Sequence, residues 1–276
     1  MTLESVPDRY VVIGNPIAHS KSPQVHALFA QQTREVMIYE RLLAPLDNFA
    51  GAVRDFVDQG GRGANVTVPF KLEAFALAQE LTTRAQSAGA VNTLSFSAGR
   101  IKGDNTDGIG LVRDIMINAA VPLKGRSVLL LGAGGAARGV ILPLIEANIA
   151  SLVIANRTQD RAQELAQHFS ASTVPVSALT FGQLDRTFDV IINATSASLS
   201  SDLPPLPDAV FRPDTLAYDM MYSAQPTIFM QHAAQRGAHV RDGLGMLVEQ
   251  AAESFQIWRG VRPETASVYQ WLRGQL

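Results

Sequence analysis

The chain contains no cysteine among its 276 residues. Disulfides, thiolate metal sites, iron–sulfur clusters and a cysteine nucleophile are therefore excluded, and a cytoplasmic location is expected. Charged residues are also few, at 17% of the chain, and the 23 basic residues do not outnumber the 25 acidic ones. Because binding to a phosphate backbone requires an excess of positive charge, we expect no nucleic-acid partner.

Long apolar runs and metal-ligand spacings are missing as well. The N-terminal stretch carries Glu4 and no apolar segment long enough for a signal peptide, and the most apolar later region is interrupted by glycines and charged residues. We therefore expect neither a signal peptide nor a membrane-spanning segment. The five histidines show no H-x-x-x-H spacing and no accompanying carboxylate cluster, so we expect no metal site.

Short runs rich in Val and Ile alternate with longer segments of helical periodicity, which is typical of parallel β-α-β architecture. At about 150 residues per domain, the length favours two modest domains. Pro122 and Gly125 end a helical segment, so we expect a connection between domains at 121–125. Strands are predicted at 10–13, 37–41, 64–66, 128–131 and 152–155, a hairpin at 91–96 with 100–102, and helices at 23–32, 46–59, 71–81 and 110–119.

A glycine-rich turn follows the predicted strand at 128–131 and opens a long apolar helix. Its G-x-G-x-x-A pattern begins with Gly132, Ala133, Gly134, Gly135 and Ala136. Such glycines allow a tight turn and bring a pyrophosphate close to backbone N–H groups at a helix N-terminus. The pattern alone could mark a strand–helix turn that binds no ligand, but the strand–helix–strand context favours dinucleotide binding.

The residues after the second strand of this unit indicate which dinucleotide is bound. An Asp or Glu there would bind the ribose 2′-hydroxyl of NAD, but this chain has Asn156, Arg157 and Thr158. A guanidinium and a hydroxyl suit a 2′-phosphate. An ordinary exposed arginine on a loop is the alternative, and the position of Arg157 favours NADP(H).

Four polar clusters in the first third of the chain each lie where a predicted strand ends and a helix begins. They occupy residues 14–23, 65–71, 89–93 and 103–108. Each could consist of helix caps and turns. Open α/β sheets bind ligands at such strand ends. Together the clusters supply hydroxyls, amides, one ammonium and one carboxylate, which suit a small polyhydroxylated anion.

These clusters, the glycine-rich turn and four later motifs resemble the shikimate dehydrogenase family. The later motifs are N-R-T at 156–158, N-A-T-S at 193–196, Y-D-M-M-Y at 218–222 and G-L-G-M-L-V-E-Q at 243–250. The match runs in order from Gly14 to about Gln250. The chain departs from many relatives at two positions, with Ser198 in place of glycine and Ala27 in place of asparagine.

The resemblance implies an α/β fold of two domains with a cleft between them. Residues 1–107 plus about 246–276 would form a substrate-binding and catalytic domain with a mostly parallel sheet, and about 108–245 a Rossmann-type NADP-binding domain. The implied activity is the reversible NADPH-dependent reduction of 3-dehydroshikimate to shikimate in aromatic amino acid biosynthesis. The alternatives are a quinate/shikimate dehydrogenase of broader specificity and a sensor that binds NADP and a metabolite without turnover. The protein would be a monomer or a homodimer.

The resemblance also implies residue roles. Lys71 and Asp107 match the catalytic pair, and which of them transfers the proton directly stays open. The implied substrate contacts are Ser20, Ser22, Asn65, Thr67, Asn92, Tyr222 and Gln250. The implied cofactor contacts are the glycine-rich turn with Asn156, Arg157, Thr158, Thr195, Met220, Gly243 and Met246.

Overall fold

The computed structural model describes residues 6–195 and 203–276. Two compact units divide the chain. The first unit contains the described residues up to Gly110 together with Val248–Gln275, and the second contains Leu111–Leu247 and the final residue. Residues 121–125 lie inside the second unit, so the connection expected there is wrong. The side chain of Leu123 is fully buried in the core of that unit.

The first unit contains a six-stranded sheet in the order β2-β1-β3-β5-β6-β4. Neighbouring strands are parallel except for β5, which is antiparallel to both β3 and β6. The elements up to the unit boundary are β1 (Asp8–Gly14), α1 (Ser22–Thr33), β2 (Met37–Leu43), α2 (Phe49–Asp58), β3 (Gly61–Val66), α3 (Lys71–Leu77), β4 (Glu80–Leu81), α4 (Thr83–Ala88), β5 (Thr93–Ser97), β6 (Arg100–Asp104) and α5 (Asp107–Arg113).

Two predicted helices of this unit have different bounds in the structure. The helix predicted at 46–59 begins only at Phe49, because the Asn48 side chain accepts a hydrogen bond from the Gly51 N–H and caps it. The helix predicted at 71–81 ends at Leu77, and Glu80–Leu81 pairs with β6 as a short strand. The structure also contains α4, which the sequence pattern did not indicate.

The second unit contains a six-stranded sheet in which every neighbouring pair is parallel. Its order, β12-β11-β10-β7-β8-β9, is that of a doubly wound dinucleotide-binding sheet. The α/β class with mostly parallel sheets is therefore confirmed. The remaining elements of the chain are β7 (Ser127–Leu131), α6 (Gly135–Glu146), β8 (Ser151–Ala155), α7 (Gln159–His168), β9 (Val176–Leu179), β10 (Val190–Asn193), β11 (Leu216–Asp219), α8 (Ile228–Ala234), β12 (His239–Arg241), α9 (Leu244–Arg259) and α10 (Ala266–Arg273).

The predicted helix at 110–119 differs in kind as well as in its start. It begins at Asp107 as α5, because the Asn105 side chain accepts the Asp107 N–H at 3.1 Å. From Asp114 to Asn118 it continues as a π-helical turn. The backbone N–H of Ala119 reaches the Asp114 carbonyl oxygen at 2.9 Å, which closes that wider turn.

Helices cover both faces of the parallel sheet in the second unit. Val128 and Leu130 of β7 pack in one apolar cluster, whereas Leu129 and Leu131 pack in another. Successive side chains of a strand point to opposite faces, so both faces are buried. This explains why the strands read as continuous apolar runs in the sequence.

Candidate active site

One edge of the first sheet brings the polar clusters together. β3 and β6 end at this edge, and β5, which runs the other way, begins there. Thr93 is therefore the register partner of both Asn65 and Asp104. The Thr67 N–H also donates to the Ile13 carbonyl oxygen near the end of β1. Residues distant in the sequence thus meet at one place.

Lys71 and Asp107 form an ion pair at this edge. Each is the first residue of its helix, α3 and α5 respectively. Lys71 Nζ lies 2.5 Å from Asp107 Oδ2, and the two side chains are 33% and 17% exposed. An ammonium carries three N–H donors, and Asp107 accepts one of them. The pair is thus accessible to a small molecule and offers it both a proton donor and a hydrogen-bond acceptor.

Asn92 orients the carboxylate from the other side. Its Nδ2 donates to Asp107 Oδ1 at 2.8 Å and to Gln250 Oε1 at 3.3 Å. Its Oδ1 accepts the Thr106 N–H at 2.8 Å. Asn92 is only 3% exposed, so these bonds hold it in a buried setting. The predicted residues Lys71, Asp107, Asn92 and Gln250 therefore form one connected group.

Asn65 is the centre of a second, adjoining group. The Tyr39 hydroxyl donates to Asn65 Oδ1 at 2.7 Å, and Asn65 Nδ2 donates to Thr93 Oγ1 at 3.1 Å and to Ser254 Oγ at 2.9 Å. Burial raises the pKa of Tyr39 well above 10, although a hydrogen bond from Ser22 opposes this. Tyr39 therefore remains a neutral phenol that can donate.

The predicted serines lie on the loop that precedes α1. Ser20 Oγ donates to Ser22 Oγ at 3.2 Å, and the Arg41 guanidinium donates to the Ser20 carbonyl oxygen at 2.6 and 3.0 Å. The Ser22 N–H also donates to Ser20 Oγ at 3.3 Å, which fixes the end of this loop at the start of α1. Ala27, one of the two departures from the family pattern, lies on an exposed face of α1.

Several members of this network were missed in the sequence. Ser254 lies four residues after Gln250 on α9, and residues at that spacing share a helix face. That spacing was a usable signal. Tyr39 gave none, because it reads as an ordinary apolar strand residue. The members that received no role of their own are Tyr39, Thr93, Thr106 and Ser254, although Thr93 and Thr106 lie within the polar clusters at 89–93 and 103–108.

A cleft of about 750 Å³ lies over the glycine-rich turn of the second unit. Gly132 has φ +106°, which favours glycine, and a Cβ at Gly134 or Gly135 would meet only open space. No side chain caps the N-terminus of α6. Free N–H groups at a helix N-terminus fit a pyrophosphate. The residues lining the cleft are Gly132, Ala133, Gly134, Gly135, Ala136, Asn156, Arg157, Phe181, Ala194, Thr195, Leu203, Pro204 and Pro205.

The other predicted cofactor residues are not among those lining this cleft. Thr158 occupies the N-cap position of α7 without a side-chain capping bond, and its carbonyl oxygen accepts from Asn156 Nδ2 at 2.9 Å. Gly243 approaches the backbone of Met220, and Met246 is 8% exposed in the apolar core. The second departure from the family pattern, Ser198, lies outside the described residues, as does Ser196 of the N-A-T-S motif.

Tyr222 also belongs to the second unit. Burial raises its pKa, and the nearby Asp242 carboxylate adds to this effect. Within the described ranges, no group of three or more His, Asp or Glu side chains is arranged to hold a metal ion. In the same part of the chain, no helix is both long and apolar enough to span a membrane.

The fold and the two sites define a two-domain α/β protein with a dinucleotide-binding unit and a separate unit that carries a lysine–carboxylate pair. Three family models match the chain: the shikimate dehydrogenase substrate binding domain over residues 12–94, shikimate / quinate 5-dehydrogenase over 116–201 and the shikimate 5'-dehydrogenase C-terminal domain over 243–273. The chain belongs to the shikimate dehydrogenase family.

Individual relatives cover almost the whole chain. The shikimate dehydrogenase (NADP(+)) of Herminiimonas arsenicoxydans is 63% identical over 274 residues, which cover 99% of this chain and all of that protein. The crystal structure of an Ael1 enzyme from Pseudomonas putida has a TM-score of 0.93 and 48% identity, covering 96% of this chain and 98% of that one. Shikimate 5-dehydrogenase from Thermus thermophilus, in complex with NADP(H) and shikimate, has a TM-score of 0.86 and 33% identity, covering 98% of this chain and 100% of that one.

Proposed function

We propose that this chain catalyses the reversible NADPH-dependent reduction of 3-dehydroshikimate to shikimate, a step of aromatic amino acid biosynthesis. The observation that carries the proposal is the Lys71–Asp107 ion pair, set at a strand-end edge rich in hydroxyls and amides. Relatives of the same family, some more than 60% identical, bear the name NADP(+) shikimate dehydrogenase. A polyhydroxylated carboxylate matches the donors and acceptors at that edge.

Lys71 acts as the proton donor to the developing alkoxide in the reduction. In the ion pair the ammonium carries the proton, whereas the Asp107 carboxylate only accepts hydrogen bonds, through Oδ2 from Lys71 and through Oδ1 from Asn92. Asp107 therefore holds the ammonium in place and stabilises its charge. NADPH, when bound, supplies the hydride. The oxidation of shikimate is the reverse of this step, in which Lys71 as the neutral amine accepts the hydroxyl proton and becomes the ammonium.

The remaining substrate contacts follow from the chemistry of the side chains. Ser20 and Ser22 donate hydroxyl hydrogen bonds to the substrate carboxylate, and Tyr222 assists there. Asn65, Asn92 and their neighbours orient the ring hydroxyls through amides that the network already fixes. Such preorganised groups lower the entropy cost of reaching the reactive geometry. The proposed ring-hydroxyl contacts are Asn65, Thr67, Asn92 and Gln250.

The cofactor is NADP(H), bound in the cleft of the second unit. The pyrophosphate lies on the N–H groups at the start of α6, and Arg157 with Asn156 and Thr158 binds the 2′-phosphate. The position of Arg157 in the lining of the cleft supports this assignment. Thr195 also lines the cleft, and we place Met220, Gly243 and Met246 beside the nicotinamide.

Absorbance at 340 nm, recorded with purified protein, shikimate and NADP+, tests the function directly. We expect turnover with shikimate and NADP+, and far less with quinate or with NAD+. Comparable rates with quinate would favour a quinate/shikimate dehydrogenase, a possibility that one matching family model includes in its description. Binding of both ligands without any absorbance change would instead favour the sensor.

We further propose a cytoplasmic enzyme that is a monomer or a homodimer. A chain without cysteine suits a reducing compartment. Light scattering after size-exclusion chromatography would give the mass in solution. A tetramer or larger assembly would contradict this part of the proposal.

A further inference from the structure

A buried carboxylate in the second unit is saturated with hydrogen bonds. Asp114, in the π-helical turn that follows α5, is 0% exposed. The Arg241 guanidinium donates to both of its oxygens at 2.6 Å. The Tyr218 hydroxyl donates to Oδ2 at 2.8 Å, and Asn118 Nδ2 donates to Oδ1 at 2.8 Å. Each carboxylate oxygen therefore accepts two hydrogen bonds.

This cluster, Asp114 with Tyr218 and Arg241, touches the first turn of α9. A Cβ built on Gly245 would lie 1.8 Å from Asp114 Oδ1, so only glycine allows the carboxylate to lie against this turn. Met246, the next residue of the turn, belongs to the same buried apolar cluster as Tyr218. Tyr218 thus contributes its ring to the core around Met246 and its hydroxyl to Asp114.

The same turn is fixed on its other side by the loop after β11. A Cβ built on Gly243 would lie 2.1 Å from the Met220 carbonyl oxygen. The Gly243 N–H donates to the Met221 carbonyl oxygen at 3.0 Å. Residues 243–246 are therefore held between this loop and the Asp114 cluster, with no space for a side chain at Gly243 or Gly245.

We propose that Asp114, Tyr218 and Arg241 are positioning residues for the nicotinamide end of NADP(H), acting through the turn at 243–246. The proposal rests on the proposed function, which places Gly243 and Met246 beside the nicotinamide. Hydride transfer requires the reacting carbons about 3–3.5 Å apart, and a misplacement of about 1 Å can cost roughly a hundredfold in rate. A turn that packs directly against a charged, fully hydrogen-bonded cluster resists such a shift.

The composition of the cluster supports this role. A buried ion pair contributes little net stability compared with apolar side chains of the same volume, because both charges lose their hydration. A core that needed only stability could use apolar residues here. Because each Asp114 oxygen accepts two hydrogen bonds, the position and orientation of this carboxylate are fixed. Apolar packing would not fix a side chain so narrowly. The π-helical turn brings Asp114 to that position, and such turns occur frequently at functional sites.

Tyr218→Phe is the variant that tests the role, because it keeps the ring and removes the hydroxyl that donates to Asp114 Oδ2. We expect kcat for shikimate oxidation to fall about ten- to a hundredfold, with the KM for shikimate unchanged. Calorimetric titration should show weaker binding of NADP+ but unchanged binding of 2′,5′-ADP, which lacks the nicotinamide. Tyr10→Phe is the matched control, since this buried hydroxyl in the first unit accepts from Arg259 at 3.3 Å. It should leave all of these values unchanged.

The ratio of the affinities for NADP+ and 2′,5′-ADP tests this proposal separately from the proposed function. If wild-type protein does not oxidise shikimate, the proposed function fails, but the ratio still tests the turn. Arg241→Lys is the alternative variant if Tyr218→Phe fails to fold. It keeps the positive charge but loses the two-pronged guanidinium contact with Asp114, so it should lower kcat and NADP+ affinity in the same direction by a smaller amount. A Tyr218→Phe protein with wild-type kcat and a wild-type binding ratio would overturn the proposal, as would an equal loss of affinity for both ligands.

Discussion

At the scale of single residues, Lys71 carries the proposed chemistry. Lys71→Ala removes the ammonium that faces Asp107 Oδ2 at 2.5 Å. We expect kcat to fall by at least about a hundredfold while the KM for shikimate changes little, because the proton is transferred only in the transition state. Lys102→Ala, which removes an exposed lysine of β6, is the matched control. Steady-state kinetics of both variants is the measurement, and near wild-type kcat in Lys71→Ala would exclude Lys71 from the reaction.

Tyr39 provides a second test at this scale, because its hydroxyl donates to Asn65 Oδ1 at 2.7 Å. Tyr39→Phe leaves the buried Asn65 oxygen without this donor, which should destabilise the protein by roughly 1–3 kcal/mol. We also expect a higher KM for shikimate with a smaller effect on kcat, since Asn65, a proposed ring-hydroxyl contact, loses the donor that orients its amide. Urea unfolding and kinetics measure the two effects. Tyr269→Phe is the control on a half-buried tyrosine, and a Tyr39→Phe enzyme indistinguishable from it would contradict the prediction.

His26 makes stability depend on pH. It is fully buried and stacks on Tyr39 with ring centroids 4.0 Å apart. Burial lowers its pKa to about 3, although the Asn65 side chain favours the charged form. The unfolded chain therefore binds the proton first, so this contribution to stability is complete above pH 6.5 and declines as the pH falls toward 3.

His26→Leu should remove this dependence. The free energy of unfolding is measured by urea titration between about pH 4.5 and 7.5. Below about pH 6.5, it should fall in the wild-type protein by up to about 1.4 kcal/mol per pH unit more than in the variant. Comparing slopes avoids any dependence on the overall stability of the variant. His239→Leu, which removes an exposed histidine, should keep the wild-type slope. Parallel slopes in wild type and His26→Leu would show that another group controls the acid sensitivity.

At the scale of elements, the connection between β8 and α7 is the proposed determinant of cofactor preference. Arg157 is exposed and lines the cleft over the glycine-rich turn. Arg157→Ala should lower kcat/KM for NADP+ about ten- to a hundredfold and leave NAD+ almost unchanged, because only NADP+ carries the 2′-phosphate. Arg186→Ala removes an exposed arginine that does not line the cleft and should change neither value. An unaltered NADP+/NAD+ ratio in Arg157→Ala would mean that the phosphate is bound elsewhere.

The elements also show which sequence signals were reliable. Strands buried on both faces, such as β7 and β8, were predicted because they leave continuous apolar runs. Residues 78–81 were assigned to a helix because apolar spacing cannot reveal that Leu81 pairs with Gly103. Of the network around the ion pair, residues at strand ends could be predicted from turn chemistry. Ser254 and Asn65 could not be paired in advance, because 189 residues separate them.

At the scale of the whole molecule, α9 from Val248 onward and α10 complete the first unit. Phe255 of α9 is fully buried there, 5.8 Å from Phe29 between ring centroids. The Trp258 indole N–H donates to the Leu94 carbonyl oxygen at 3.0 Å, and the Arg259 guanidinium pairs with Asp8 and Glu35. The first unit is therefore discontinuous in sequence, and its core depends on residues that follow the second unit.

This arrangement predicts that core damage stays within the unit it affects. Phe255→Ala should cost roughly 3–5 kcal/mol, and the loss of amide hydrogen-exchange protection should be confined to the first unit. Binding of 2′,5′-ADP should persist, since its proposed site lies in the second unit. Phe188→Ala is the matched variant, because Phe188 is equally buried in the apolar core of the second unit. It should show the opposite pattern, with protection lost in the second unit and ADP binding weakened. If both variants lowered protection throughout the chain to the same extent, the two units would instead unfold as one cooperative structure.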